Sequence, residues 1–185
     1  MKFHKDILII DFEATGNNPK IHQPIQLSAI LLDKDTLREK ASFNSYIKAD
    51  LSSINDQHVA DILNNINQKT LDTSPTKEEV ISEFIKKFGT KEYFLASWVF
   101  NLDFQYLLNL LDSINISINE FDYHFIDIWP IAYFYLLKSG YTGGIRSEEM
   151  FSAFGINKRT THDGLDDCRI EATILRQIAA QKYSW

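Results

Sequence analysis

The chain has 185 residues, of which 44% are apolar and 13% aromatic, a composition that excludes a disordered chain and suffices for a substantial core in one domain. A formal net charge of -6 excludes a strongly basic nucleic-acid binder, although an acidic enzyme can still meet phosphates through cations held on its carboxylates. The single cysteine, Cys168, leaves no internal disulfide and reads as a packing residue. The N-terminal apolar run is too short for a secretory signal, and no run approaches the roughly 20 apolar residues of a spanning helix, so a cytoplasmic protein without a membrane segment is expected.

Ile7-Leu8-Ile9-Ile10 predicts a buried strand that runs into Asp11-Phe12-Glu13-Ala14-Thr15-Gly16. Strand alternation puts Asp11 and Glu13 on one face and Phe12 on the other. Two carboxylates at the end of an apolar strand repel each other and are penalised by desolvation. A divalent cation removes that cost; alternatively, one carboxylate caps a turn and the other faces water. After a loop at Asn17-Asn18-Pro19-Lys20, strands are expected at Ile25–Leu32 and Ala41–Ala49, and the short links suggest an antiparallel meander. Val59, Ile62, Leu63 and Ile66 permit a short helix.

Thr76 and Glu79 make a capping box for a helix with the stripe Val80, Ile81, Phe84, Ile85 and Phe88, stopped by Gly89. A strand over Tyr93–Val99 leads through Asp103 into a helix marked by Phe104, Leu107, Leu108 and Leu111. Asp103 taken by itself is better read as an N-cap, a role compatible with that of a third metal ligand. A short strand at Phe125–Ile128, helices around Ile131–Leu137 and Ser147–Phe154, and a last helix from Asp163 to Gln181 complete the chain. Leu165, Cys168, Ala172, Leu175 and Ala179 form that helix's core stripe, with Asp167 at its flank and Asp166 pointing outward. Strands first, then alternating helices and strands, give an α/β fold with a mixed central sheet.

Asp11-Phe12-Glu13-Ala14-Thr15-Gly16, then Asp103 after a strand, then Thr161-His162-Asp163-Gly164-Leu165-Asp166-Asp167-Cys168, together resemble the three motifs of the DnaQ-like DEDD exonucleases. His162, five positions before Asp167, resembles the histidine-bearing branch, and Pro24-Ile25-Gln26-Leu27 with Ser97-Trp98 look most like its Eri-type exoribonucleases. Three departures stand out: Gln26 where the family often has Glu, a longer stretch from Trp98 to Asp103, and Val99-Phe100-Asn101 in place of a small, Gly-containing segment.

The resemblance implies a ribonuclease H-like fold with its mixed sheet flanked by helices, formed as one exonuclease domain over residues 1–185. It implies two divalent cations, Mg2+ or Mn2+, held by Asp11, Glu13, Asp103 and Asp167, with His162 as general base. The implied reaction is release of nucleoside 5'-monophosphates from the 3' end of single-stranded RNA or DNA, RNA slightly favoured. Thr15 and Gly16 are then candidates for close approach to the terminal nucleotide, and Phe12 and Trp98 for stacking on a base. Against these stand an ordinary strand-ending turn and core packing. Arg146, Lys158 and Arg159 are candidate phosphate contacts, against solvated surface charge as the default for each. A DNA exonuclease or proofreading-type subunit, a non-catalytic nucleic-acid-binding module, and a phosphatase acting on small phosphoesters are the competing readings.

Overall fold

A computed structural model describes residues 2–51, 66–156 and 163–180 of the chain. Its sheet has five strands, β1 (Asp6–Ala14), β2 (Pro24–Leu32), β3 (Glu39–Tyr46), β4 (Tyr93–Ser97) and β5 (Phe125–Asp127), in the order β3-β2-β1-β4-β5. The expected meander is present: β1 pairs antiparallel with β2, and β2 with β3. β4 lies parallel to β1 on its other side, and β5 parallel to β4, so the sheet is mixed. The described helices are α1 (Gln68–Asp72), α2 (Lys77–Phe88), α3 (Phe100–Ser113), α4 (Ile128–Lys138), α5 (Ser147–Ala153) and α6 (Gly164–Ala180).

β1 is central because its apolar run leaves no solvent-facing side. Ile7, Leu8, Ile9 and Ile10 are fully buried. Leu8, Ile10 and Phe12 pack on one face with Val80, Ile81 and Phe84 of α2 and Tyr106, Leu107 and Leu110 of α3. Ile7 and Ile9 pack on the other with Ile128 and Ala132 of α4 and Cys168, Ala172 and Leu175 of α6. By the same alternation Asp11 and Glu13 continue the Ile7–Ile9 side, toward α6. Their strand end opens where Pro24 begins β2 and the register shifts between Glu13 and Ala14, a common irregularity beside functional sites.

The helix ends follow local chemistry. Thr76 and Glu79 form the expected capping box, and Gly89 closes α2 at φ 69. α3 begins four residues before Phe104, because the Val99 carbonyl already accepts from the Leu102 and Asp103 amides (2.9 and 3.4 Å). The apolar spacing marks only its buried face. The residues that lengthen the stretch before Asp103 are thus absorbed as one helical turn. α4 tolerates Pro130 because the proline lies in the first turn, where amides lack intrahelical acceptors. The expected helix over Val59–Ile66 falls largely outside the described residues, and Ile66 itself is not helical. No described helix is long and apolar enough to cross a membrane.

Phe84 is fully buried, with its ring 5.8 Å from that of Phe43 and 5.3 Å from that of Phe88. Phe84→Ala is expected to destabilise the chain by about 3–5 kcal/mol, read as a lowered midpoint in urea with unchanged slope.

Candidate active site

Three carboxylates converge beyond the open end of β1. Asp11 and Glu13 from the strand and Asp167 from α6 each bring an oxygen within 4.8 Å of the others. Asp167 is 6% exposed, whereas Asp166 faces water and pairs with Arg169 at 3.4 Å, the division expected from the helical wheel. The approach of α6 to β1 depends on Gly164. A Cβ there would lie 2.6 Å from Ser28 Oγ and 2.8 Å from Asp11 Oδ2. Asp163, just before the helix, accepts the Leu165 amide at 3.0 Å and so serves the helix N-terminus.

Asp103 reaches the same strand end from α3. It does not cap its own helix: Oδ1 accepts the Phe12 amide of β1 at 3.2 Å, and Oδ2 accepts the hydroxyl of Ser97 at the end of β4. These bonds tie α3, β1 and β4 together and stand outside the tightest group of three. Opposite the β1 acids, β2 presents neutral partners, with Ser28 across from Asp11 and Gln26 across from Glu13. The Gln26 amide and the Ser28 hydroxyl both donate to Asn44 Oδ1, at 2.8 and 3.1 Å. A glutamate at position 26 would add a further charge beside Glu13.

The electrostatics follow from crowding. Burial raises the Asp11 carboxyl well above the usual range, and Asp103, Glu13, Glu171 and Asp167 raise it further. Burial pushes Asp103 up to about 7; the Ser97 and Phe12 hydrogen bonds oppose the shift, and Asp127 adds to it. Asp11 Oδ2 is buried with no hydrogen-bond partner. Hard oxygens, mutual repulsion and an unsatisfied buried carboxylate oxygen together fit a divalent cation of the Mg2+ or Mn2+ kind.

Thr15 and Gly16 follow Glu13 at the strand end. Thr15 Oγ1 accepts the Gln23 amide at 2.9 Å, and the Gly16 carbonyl accepts from Tyr106 Oη at 2.5 Å. A Cβ on Gly16 would lie 2.6 Å from the His22 ring, so this turn has its own packing reason for glycine. Phe12 and Trp98 are 9% and 6% exposed. Phe12 rests against Tyr106 and Trp98 against Phe151, with their rings inside the core. His162, Lys158 and Arg159 lie outside the described residues, while Arg146 is exposed just before α5.

Gly164 and Ser97 stand in the sequence motifs without an assigned role, and Ser28 and Glu171 stand in none of them. Glu171, 2% exposed, stands one turn after Asp167 on the buried face of α6, where the spacing 164, 167, 168, 171, 175 would have found it. Ser97 and Ser28 carry no such signal, since only strand register brings them to the acids.

The Exonuclease (RNase T) family model matches residues 8–175. No curated protein matches the chain in sequence. Among solved structures, cell-death related nuclease 4 (CRN-4) aligns at TM-score 0.73 and 23% identity over 95% of this chain and 64% of its own. The nuclease domain of 3'hExo, a DEDDh family member bound to rAMP, aligns at 0.72 and 24% over 97% and 94%. E. coli Exonuclease I in complex with a dT13 oligonucleotide aligns at 0.80 and 14% over 96% of this chain but 41% of its own. This chain therefore spans under two thirds of the length of two of these three. At such identities the likeness is one of fold, and the ribonuclease H-like α/β architecture expected from the sequence is the one observed.

Carboxyl groups that hold protons above their ordinary range bind more protons in the folded chain than in the unfolded one, so stability falls as pH rises through that window. In chelator, the melting temperature is expected to drop by several degrees between about pH 5 and 8, as Asp103, raised to about 7, ionises, with the raised Asp11 carboxyl acting in the same direction. Mn2+ should reverse the drop. A melting temperature that stays level or rises over the same interval would show that the acids do not hold protons above their ordinary range.

Proposed function

The chain belongs to the RNase T exonuclease family, and on that premise we propose a metal-dependent 3'–5' exonuclease of the histidine branch, nearest the Eri type. It acts as a single exonuclease domain over residues 1–185, removing nucleoside 5'-monophosphates from the 3' end of single-stranded nucleic acid, with RNA preferred over DNA. The observation that carries this reading is the convergence of Asp11, Glu13 and Asp167 within 4.8 Å, with one Asp11 oxygen buried and unpartnered. The preference for RNA leans on the nearly end-to-end alignment with the domain bound to rAMP; the dT13 complex of Exonuclease I supports DNA as the second reading.

Asp11, Glu13 and Asp167 hold the cations, with Asp103 completing the acidic set from α3. Divalent ions held there would supply Lewis-acid activation of water and offset the negative charge that gathers at the scissile phosphate. The remaining work belongs to the chain. Asp103 braces β1 against β4 through the Phe12 amide and the Ser97 hydroxyl, fixing the direction in which Asp11 and Glu13 project. Glycine at 164 lets α6 close on Asp11 and so brings in Asp167. Thr15 and Gly16, which follow Glu13 after one residue, border the terminal nucleotide. His162, with an ordinary pKa of roughly 6.5, takes the proton from the attacking water.

Digestion of 5'-labelled RNA and DNA oligomers in Mg2+ or Mn2+, with and without chelator, tests the whole reading. A descending ladder with 5'-monophosphate products, abolished by chelator, is expected, with RNA shortened faster. Cleavage that is internal, indifferent to chelator or confined to monophosphates contradicts it. Asp11→Asn or Asp167→Asn should abolish digestion while retaining the fold by circular dichroism. His162→Ala should lower kcat about 10²- to 10⁴-fold and flatten the acid limb of the pH–rate profile.

A further inference from the structure

Arg146 stands on a stretch of backbone that two tryptophans hold in place. Trp98 Nε1 donates to Ser147 Oγ at 2.9 Å, and Trp129 Nε1 donates to the Ile145 carbonyl at 3.3 Å. Between them, the Arg146 amide donates to Glu149 Oε2 at 3.1 Å. Both tryptophans follow the ends of parallel strands: Trp98 directly succeeds Ser97, and Trp129 comes two residues after Asp127, which pairs with Ser97 in the sheet. Ser97 is the residue whose hydroxyl bonds Asp103, so the pinned segment borders the acid-bearing end of the sheet. It also lies on the matching face, since Trp98 and Phe151 of α5 pack with Cys168 and Ala172 of α6, the helix that carries Asp167.

The guanidinium itself is exposed, and among the described residues no carboxylate pairs with it. Arg169, by contrast, is taken up by Glu39 and Asp166. A fixed main chain that presents an exposed arginine at the end of the sheet where the acids gather is arranged for an anion brought by a ligand. Arginine suits phosphate because its planar fork donates two parallel hydrogen bonds and is always charged. We propose that Arg146 is a positioning residue that binds a backbone phosphate of the nucleic-acid strand next to the one at the carboxylates. This rests on the exonuclease reading and deepens it, because it gives the strand a second point of attachment.

The test measures binding and its salt dependence, so it does not depend on turnover. The probe is a fluorescein-labelled single-stranded oligothymidylate with a phosphorothioate 3' end, titrated by anisotropy in Ca2+ at increasing KCl. Arg146→Ala should weaken binding about tenfold and flatten the slope of log K against log salt by about 0.7, the contribution of one phosphate on a single strand. Arg146→Lys should keep the slope and recover only part of the affinity. Arg38→Ala, removing an exposed arginine at the β2–β3 connection, should match the unsubstituted chain. An Arg146→Ala chain with unchanged affinity and slope overturns the proposal. So does a loss equalled by Arg38→Ala, or a chain that binds no strand. A chain that binds with the Arg146 dependence but never shortens an unmodified strand leaves this contact standing and removes the nuclease reading.

Discussion

Packing acids together inside a protein is unfavourable twice over, because each loses its hydration and each repels the others. Here Asp11, Glu13, Asp103, Asp167 and Glu171 crowd the end of one strand, and the burdened group is Asp11, raised by burial and by all four neighbours. Such an arrangement persists only if the surrounding structure imposes it. The fold does so by making β1 the middle of the sheet, with fully buried residues on both faces up to the residue before Asp11. The acids are then held by a segment that cannot retreat into water.

The supporting parts each answer one aspect of that burden. The cross-strand partners of the two β1 acids are the neutral Ser28 and Gln26, organised on Asn44, which limits repulsion from the β2 side. Asp103 has its oxygens met by an amide and a hydroxyl, which partly offsets its desolvation. Gly164 has no side chain because one would strike Asp11 and Ser28, so the closest approach of α6 is made where nothing obstructs it. Burial, spacing and neutral partners leave negative charge around an unpartnered Asp11 oxygen, which a divalent cation can correct.

Much of this was legible from residue order. The β-branched run before Asp11, the capping box at Thr76 and Glu79, and the placement of Asp167 inward with Asp166 outward all rest on local periodicity, and local periodicity is what a sequence displays directly. Asp103 showed how such signals run short. Its surroundings suited a cap, yet its partners are a backbone amide 91 positions away and a serine hydroxyl on another strand, contacts set by tertiary register alone. Phe12 and Trp98 illustrate a second limit. Aromatic residues beside acids invite a stacking role, but strand alternation turns Phe12 into the α2–α3 side, and Trp98 is drawn under α5. The pinning of Arg146 by two indoles likewise had no counterpart in spacing, since the donors lie 49 and 16 positions from their acceptors.

If the carboxylates at the end of β1 form a cation site, calorimetric titration of Mn2+ into the metal-free protein shows it without reference to substrate. Near pH 6.5, in buffers of differing ionisation enthalpy, saturable binding accompanied by proton release is expected, because Asp103, raised to about 7, keeps a proton that the metal must displace, and burial and neighbouring acids shift Asp11 in the same direction. Asp167→Asn should weaken the binding at least tenfold. Binding that does not saturate, or that is the same with and without Asp167, would contradict the account.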